Sequence, residues 1–416
     1  MENEDIIRAL KDGNVPPEGT FEISVGRDSE ILEFQNILEN IKQGKGSAKF
    51  VEGKFGTGKS FLLKMIEENA LENNFVVSKI TITRDVPFNK FEEVYRKIVS
   101  TLKCKTGVSL QHIIERWINE LKIAAMDETE DPLQQNHIVM DNIHMDLQSA
   151  RNYSNSFVTA IESYYEASVN GDDEIANYAQ AWLRCDDNIP FTVKRQFGVK
   201  GGVSKENVFD FLKALSAFIS SIGYNGLVIL IDEIEFIIML ANKNIRSTAL
   251  DYVRYLYDEC NLGNFEKTLF VMAGTDEFFE NPEKGVPSYP ALHQRIKDAI
   301  ESEYKDFRKP IMKLEGFTNE DLDTLTRKIL VLYSSVYGNE ITDKFDDSLI
   351  VSIIDFYKEK SILTGSVQPR DYVRGVVSAL DIVQQNPDKF DSGEKIIDLF
   401  DNLEWDNFDD ELEIFE

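Results

Sequence analysis

Eight residues from Gly53 to Ser60 have the residue types and the spacing of a phosphate-binding loop. They read Gly-Lys-Phe-Gly-Thr-Gly-Lys-Ser and fit the pattern G-x-x-x-x-G-K-[ST]. Glycine takes backbone angles closed to other residues, so consecutive N–H groups can point at one anion. Lys59 can reach the β- and γ-phosphates, and the Ser60 hydroxyl can bind Mg²⁺. The predicted nucleotide-binding residues are Gly53, Phe55, Gly56, Thr57, Gly58, Lys59, Ser60 and Phe61.

Two carboxylates provide the parts that hydrolysis needs beyond binding. Asp232 and Glu233 directly follow the apolar run Leu-Val-Ile-Leu-Ile. A carboxylate at Asp232 can hold the magnesium ion through its water shell, so Ser60 and Asp232 are the predicted metal ligands. Glu233 is placed to orient and deprotonate the attacking water. Together with the loop, this pair predicts Mg²⁺-dependent hydrolysis of ATP.

Three more polar residues are candidates for the catalytic set. Thr275 ends an apolar strand and can hydrogen-bond the water or the γ-phosphate, although an ordinary turn there is an alternative. Arg295 has the position of an arginine finger that reaches a neighbour's γ-phosphate. Arg308 is the second choice for that role, and a surface salt bridge is the structural alternative. Arg370 follows Pro369 at the start of a helix and can contact phosphate from the same chain.

The elements that must position these residues indicate an α/β fold. Strands that are apolar along their whole length are typical of a parallel sheet covered on both faces. The sequence predicts a doubly wound sheet of five parallel strands, with strands at Ala48–Val51, Phe75–Thr83, Gly226–Glu235, Thr268–Thr275 and Ile311–Gly316. A long region between the second and third strands, about 105–205, has helical periodicity and no strong strand.

The remaining segments divide the chain further. We expect an N-terminal arm at 1–20, the ATPase core with its helical insertion at 21–315, a helical lid at 316–390 and an acidic tail at 391–416. From Asp398 to Glu416 the tail carries nine acidic residues and no basic one. A solvated tail and a docking peptide for a partner both remain open.

Composition limits the classes of partner. A net charge of −28 and a pI near 4.6 repel nucleic acid at long range, so DNA contact requires a local patch or a channel shared with a partner. Cys104, Cys185 and Cys260 form no C-x-x-C pair, which favours thiols in a reducing compartment. The acidic N-terminus is no signal peptide, and no apolar run reaches the ~18 residues of a membrane span. We expect a cytoplasmic protein without a membrane partner.

These motifs together resemble the AAA+ ATPases from about residue 21 to 385. The Val25-Gly-Arg segment with Glu30 looks like the arm that packs near adenine in the origin-initiator branch. Four segments are similar to a narrower family, the BREX-type ATP-binding proteins (BrxD-like): Ile6-Ile-Arg-Ala-Leu-Lys-Asp-Gly-Asn-Val-Pro-Pro, Gly223-Tyr-Asn-Gly-Leu-Val-Ile-Leu-Ile-Asp-Glu-Ile-Glu, Ala273-Gly-Thr-Asp-Glu-Phe-Phe and Gln368-Pro-Arg-Asp-Tyr-Val-Arg. That resemblance implies a prokaryotic anti-phage defence or DNA-transaction ATPase.

The function hypotheses differ in what ATP is for. In the leading one, ATP cycling in a homo-oligomer remodels or loads a protein partner on DNA. In the second, a nucleotide-gated switch or scaffold (STAND-like) binds ATP with little turnover. A small-molecule kinase is a third, which the helical segment after the fifth strand argues against.

Overall fold

The computed structural model describes residues 3–186, 188–298, 305–361 and 367–401. Residues 299–304 of the helix predicted from Ala291 to Tyr304, and residues 402–416 of the predicted acidic tail, lie outside this range. The chain divides into two compact units. The sheet unit comprises Leu32–Glu52 and Ile66–Lys313, and the loop unit comprises Met1–Ile31, Gly53–Met65 and Leu314–Glu416.

Seven strands form one sheet in the sheet unit. They are β1 Ser47–Glu52, β2 Val76–Thr81, β3 Leu102–Cys104, β4 Gly107–Val108, β5 Leu227–Asp232, β6 Thr268–Gly274 and β7 Ile311–Lys313. The order is β4-β3-β2-β5-β6-β1-β7. The five strands from β2 to β7 in this order pair in parallel, whereas β3 and β4 pair antiparallel. The predicted parallel α/β fold class is confirmed.

The predicted count of five strands is wrong. The helix expected to run from Phe88 to Leu102 ends at Ser100, and the chain turns back so that β3 pairs antiparallel with β2. Because β3 and β4 have only three and two residues, neither shows the alternation that marks a strand in sequence. The alternating residues from Phe21 to Val25 predict a strand or an extended arm, whereas Thr20–Ile23 is a short helix.

The α-helices of the described residues follow one another along the chain. They are α1 Asn3–Lys11, α2 Thr20–Ile23, α3 Asp28–Lys42, α4 Lys59–Glu72, α5 Phe91–Ser100, α6 Leu110–Glu128, α7 Pro132–Asp146, α8 Gln148–Arg151, α9 Asn155–Asn170, α10 Asp173–Leu183, α11 Phe191–Gln196, α12 Val208–Ser221, α13 Lys243–Asn261, α14 Asp276–Glu280, α15 Pro290–Ile296, α16 Asn319–Tyr337, α17 Asn339–Thr342, α18 Asp347–Lys360, α19 Pro369–Gln385 and α20 Gly393–Asp401. Two short 3₁₀ helices span Ile234–Met239 and Val286–Ser288. No helix in the described part of the chain has the length and apolarity that crossing a membrane requires.

The centre of the sheet is buried on both faces. Every residue of β5 and of β6 is buried, although successive side chains of a strand point to opposite faces. The register places Ile231 beside Met272 and Glu52 beside Gly274. Because β1, β5 and β6 are parallel and in this register, their carboxyl ends lie at one edge of the sheet.

The inserted helices α6 to α11 add to the hydrophobic core of the sheet unit. The Trp117 ring meets Phe218 of α12 edge-on, with ring centroids 5.5 Å apart. Trp182 of α10 packs against Phe211 of the same helix α12, with ring centroids 5.7 Å apart. Helix α12 leads through a short loop into β5, so the insertion packs on the element that precedes this central strand.

The loop unit has its own core, and the N-terminal helix is part of it. Ile6, Ile7 and Leu10 of α1 are buried among side chains of α16, α18 and α19. Lys11 forms an ion pair with Asp381 of α19, and Lys328 of α16 donates to the carbonyl of Ser24 at 2.7 Å. A capping box between Thr318 and Asp321 begins α16.

Candidate functional site

The phosphate-binding loop is curved around its own lysine. Gly56 and Gly58 have φ angles of 75° and 88°, which glycine adopts without strain. Lys59 begins α4, and its Nζ donates to the carbonyls of Gly53 at 2.7 Å and Lys54 at 3.0 Å. The Thr57 hydroxyl donates to the Lys54 carbonyl at 2.9 Å.

This donor set fits the phosphates of ATP. The α4 N-terminus supplies N–H groups and the positive end of a helix dipole, and the buried Lys59 ammonium supplies a full charge. Ser60 is exposed at the second position of α4, where its hydroxyl can bind Mg²⁺. Phe55 is 64% exposed, and its ring lies 5.5 Å from the Lys59 ammonium. The loop residues predicted from sequence therefore share one compact cradle within the loop unit.

Arg27 anchors this loop from the N-terminal segment. Arg27 is only 6% exposed, and its Nη2 donates to the carbonyls of Thr57 at 2.9 Å and Glu315 at 3.0 Å. The guanidinium also lies over the Phe317 ring, 5.4 Å from its centroid, and 3.5 Å from the Glu30 carboxylate. Burial lowers the pKa of Arg27 from its ordinary value. One side chain thus ties the loop to the chain segment that precedes α16.

Arg27→Lys should lower the free energy of unfolding by about 1–3 kcal/mol. A lysine keeps the charge but has no planar fork to donate to two carbonyls, so buried acceptors lose their partner. Denaturant-induced unfolding measures the change. Arg8→Lys is the matched control, because Arg8 is an exposed arginine of the same unit and should tolerate the change. Equal losses in the two variants would contradict the anchoring role.

Arg370 and Gln368 lie at the start of α19 in the same unit. A methyl group placed on Gly13 would lie 2.9 Å from Nε of Arg370 and 2.6 Å from Cδ of Arg374, so both arginines pack on that glycine. A methyl group on Gly56 would lie 2.8 Å from Oε1 of Gln368. The start of α19 therefore contacts the phosphate-binding loop through Gln368, and Arg370 itself is exposed two residues further on.

Asp232 and Glu233 follow the buried strand β5 in the sheet unit. Asp232 is 5% exposed, and its Oδ1 accepts a hydrogen bond from the Glu233 N–H at 3.1 Å. Glu233 has a φ of 57°, an uncommon left-handed angle for a residue with a side chain. Such strained positions cluster at functional sites, because the surrounding structure must hold them. The turn leaves the Glu233 side chain exposed while Asp232 is buried.

Thr275 lies at the same edge of the sheet as these carboxylates. It directly follows β6, the parallel neighbour of β5, and it is buried. It occupies the N-cap position of α14, yet its side chain makes no capping hydrogen bond. The sheet unit thus brings together three of the predicted residues by the shared direction of two adjacent strands.

The two candidate arginine fingers have different surroundings. Arg295 on α15 donates through Nε to Asp258 of α13 at 2.5 Å and through Nη1 to the Ala291 carbonyl at 2.6 Å. The surface ion pair considered as an alternative is therefore present in this chain. Arg308 is exposed, and its backbone N–H donates to Asp306 at 3.0 Å.

Glu52 is a buried carboxylate at the end of β1. It is 3% exposed, and its Oε1 lies 3.0 Å from Nζ of Lys313, which also pairs with Glu280 at 3.1 Å. Burial raises the pKa of Glu52 to about 7, with the nearby Glu280 and Asp276 carboxylates acting in the same direction and Lys313 opposing them. Glu52 is therefore a group that titrates near neutral pH.

Glu52→Gln should remove a pH dependence of stability. The folded-state pKa lies above the ordinary value of 4.5, so the folded protein holds the proton longer and loses stability as pH rises from about 4.5 to 7. Between pH 6 and 8 the wild-type protein should lose about 1 kcal/mol that the variant does not lose. Urea unfolding at the two pH values measures the difference.

Glu280→Gln is the control for that measurement. Glu280 pairs with the same Lys313, but its side chain is 64% exposed. It should retain the loss of stability with rising pH, shifted slightly to lower pH, because burial is the main cause of the raised Glu52 pKa and Glu280 is a smaller one. Parallel pH profiles of wild type and Glu52→Gln would contradict the assignment.

The sequence did not predict a site role for three residues that the structure places beside the loop or at the end of β1. They are Glu52, Arg27 and Gln368. Glu52 stands out as a carboxylate that follows the apolar pair Phe50-Val51 just before the loop. Arg27 was assigned to an adenine arm only through the family resemblance, and its contact with the loop has no local signal. Gln368 has the weak signal of a polar residue before Pro369 at a helix start.

Three solved structures are similar to this chain at low identity. Domain III of the Thermotoga maritima replication initiation protein DnaA is 12% identical with a TM-score of 0.30, covering 88% of this chain and 94% of that one. The Aeropyrum pernix ORC2 protein in its ADP form is 13% identical with a TM-score of 0.44, covering 94% and 72%. The E. coli MS115-1 HORMA:CdnC:Trip13 complex is 9% identical with a TM-score of 0.35, covering 87% and 91%. At these values none of them carries an argument about function.

The family comparison is decisive where the structures are distant. A comparison with curated protein sequences found no match. A family model described as BREX system ATP-binding protein BrxC/D matches residues 1–396, nearly the whole chain. The match confirms the resemblance that the four sequence segments indicate. The chain belongs to the BREX system ATP-binding protein BrxC/D family.

Proposed function

We propose that this protein hydrolyses ATP with Mg²⁺ as an AAA+ ATPase of an anti-phage defence system. The family description supports ATP binding, and the loop around Lys59 has the donors that bound phosphates require. The observation that carries hydrolysis is the left-handed turn at Glu233, which exposes one carboxylate directly after a buried one. Backbone strain of this kind clusters at functional sites, which supports a catalytic role for the exposed carboxylate.

Each residue then has a chemical role. The N–H groups of the loop and Lys59 bind and orient the phosphates, while Ser60 and Asp232 would hold the metal. Mg²⁺, when bound there, would neutralise negative charge on the phosphates. Glu233 accepts the proton of the attacking water, and Thr275 orients that water or the γ-phosphate by hydrogen bonding. Arg370 contacts phosphate from the same chain. Catalysis is positioning and charge stabilisation, without a covalent intermediate.

The test is phosphate release by the purified full chain. We expect release that requires ATP and Mg²⁺ and stops when the metal is removed with a chelator. Binding of ATP measured by calorimetry, without any release of phosphate, would overturn the hydrolysis proposal. That outcome would instead support the nucleotide-gated switch or scaffold.

We further propose that ATP drives self-association and that Arg295 acts on a neighbouring copy. Arg295→Ala should lower turnover about tenfold or more in assembled protein, since an arginine finger stabilises transition-state charge. Mixing Arg295→Ala with a Glu233→Gln chain should restore activity, because each supplies what the other lacks. Arg308→Ala is the matched variant. If mixing restores no turnover and Arg308→Ala loses turnover, the role of arginine finger would belong to Arg308.

We propose that the partner of this chain is another protein. The net charge of −28 supports a protein partner, with nucleic acid reached through it or through a shared channel. Co-purification from the native host with and without ATP tests this proposal, and recovery of the chain without any partner would count against it. The cytoplasmic location expected from composition stays a prediction, which fractionation of host cells would check.

A further inference from the structure

Gln368 contacts the phosphate-binding loop without being part of it. It is the N-cap residue of α19, and its side chain makes no hydrogen bond to cap that helix. A methyl group on Gly56 would lie 2.8 Å from Oε1, 3.1 Å from Cδ and 3.3 Å from Cγ of Gln368. The Gln368 side chain therefore lies against the loop at a position where only a glycine leaves room for it.

The loop is held from another direction at the next residue. Arg27 fixes the Thr57 carbonyl, so the backbone between Gly56 and Gly58 cannot shift freely away from Gln368. Gln368 brings both a donor and an acceptor to this place. Pro369 has no N–H to offer an anion, so the Gln368 amide is the polar donor that α19 directs to the loop ahead of Arg370.

A side chain in this position can reach one part of a bound nucleotide. The N–H groups of the loop and the start of α4 surround the inner phosphates. The γ-phosphate ends the row of phosphates, so it is the one that a side chain from another element can contact with least obstruction. The 17-residue helix α19 adds its positive dipole end at the same place.

We propose that Gln368 recognises the γ-phosphate: its Nε2 donates a hydrogen bond to one of the γ-phosphate oxygens. Through this contact the loop unit prefers a nucleoside triphosphate to a diphosphate, and occupancy of the loop is transmitted to α19. The inference rests on the proposed nucleotide binding and deepens it. It assigns specificity to a residue outside the loop, and it requires no hydrolysis.

The test compares two nucleotides in two variants of the full chain. Calorimetry with Mg²⁺ gives the Kd of ADP and of a non-hydrolysable ATP analogue. Gln368→Ala should raise the Kd of the analogue about tenfold, as expected for a lost hydrogen bond to a charged group. It should leave the Kd of ADP within about twofold of the wild-type value. Gln368→Glu keeps the shape, cannot donate when ionised and brings a negative charge, so it should weaken the analogue more than alanine does.

Gln385→Ala is the matched control, because Gln385 is an exposed glutamine at the other end of α19. It should bind both nucleotides like the wild type. Thermal unfolding of each variant shows whether α19 remains packed. The inference is overturned if Gln368→Ala loses affinity for ADP and for the analogue equally, or if neither affinity changes. It is also overturned if the wild-type chain binds neither nucleotide.

Failure of hydrolysis gives a different result. A wild-type chain that prefers the analogue, loses that preference in Gln368→Ala and releases no phosphate would retain this inference while rejecting the ATPase. A chain that turns over ATP with an unchanged preference in Gln368→Ala would do the reverse.

Discussion

Glu233→Gln should lower the rate of ATP hydrolysis by roughly 10²–10⁴-fold while leaving ATP binding intact, which is the range expected for loss of a general base. Glutamine has nearly the same size and shape but cannot accept the proton of the attacking water. It meets the same left-handed backbone at φ 57°, so the cost of the turn is unchanged. Phosphate release and calorimetric ATP affinity, measured on the same preparation, separate the two effects.

The control for this variant is Glu277→Gln. Glu277 is an exposed carboxylate in α14, which follows the parallel neighbour of β5. Its replacement removes the same charge from the same unit and should leave turnover unchanged. Glu233→Gln chains that hydrolyse ATP at the wild-type rate would remove Glu233 from the mechanism. An equal loss in both variants would point to a general charge effect.

Lys59→Met should weaken nucleotide binding about 100-fold, the loss expected from removing charge-assisted contacts to phosphate. Methionine keeps most of the apolar stem but has no donor. The Lys59 ammonium is at the inside of the loop, where it now donates to the carbonyls of Gly53 and Lys54. Bound phosphate would draw this ammonium from those carbonyls. Calorimetric titration with ADP and Mg²⁺ measures the loss directly.

Lys54→Met controls for the charge of the loop as a whole. Lys54 is an exposed lysine five residues earlier in the same loop, and no phosphate contact is predicted for it. It should retain affinity within a few fold. Wild-type affinity in Lys59→Met would contradict the phosphate-binding assignment of the loop. Equal losses in both variants would indicate a nonspecific attraction between phosphate and the lysines.

The central strands and the loop could be predicted because their signals are local. A parallel strand buried on both faces must be apolar throughout, and β5 and β6 show this in consecutive residues. The glycines and Lys59 are tied to one another by backbone geometry over eight residues. Asp232 and Glu233 follow their strand directly, so the same apolar run marks them as well.

The edge strands β3 and β4 could not be predicted, because they are defined by pairing between strands and have no recognisable local sequence pattern. Leu102 and Cys104 are apolar residues that continue a helical pattern, and only the antiparallel contact of Lys103 with Val77 makes them a strand. A strand of three residues carries too few side chains for a period of two to be distinguishable. The predicted sheet therefore stopped at five strands.

By itself, the sequence determined the parallel α/β class, the phosphate-binding loop and the carboxylates after β5, because each depends on residues adjacent in the chain. The tertiary structure alone decided that Arg27 holds the Thr57 carbonyl, that Gln368 lies on Gly56 and that Glu52 titrates near neutral pH. The two contacts join residues that are 30 and 312 positions apart (57 − 27 and 368 − 56). The pKa of Glu52 depends on burial, which no residue type specifies. Contacts between distant residues and burial away from water are properties of the folded molecule, so the surroundings of the phosphate-binding motif could not be predicted from the sequence.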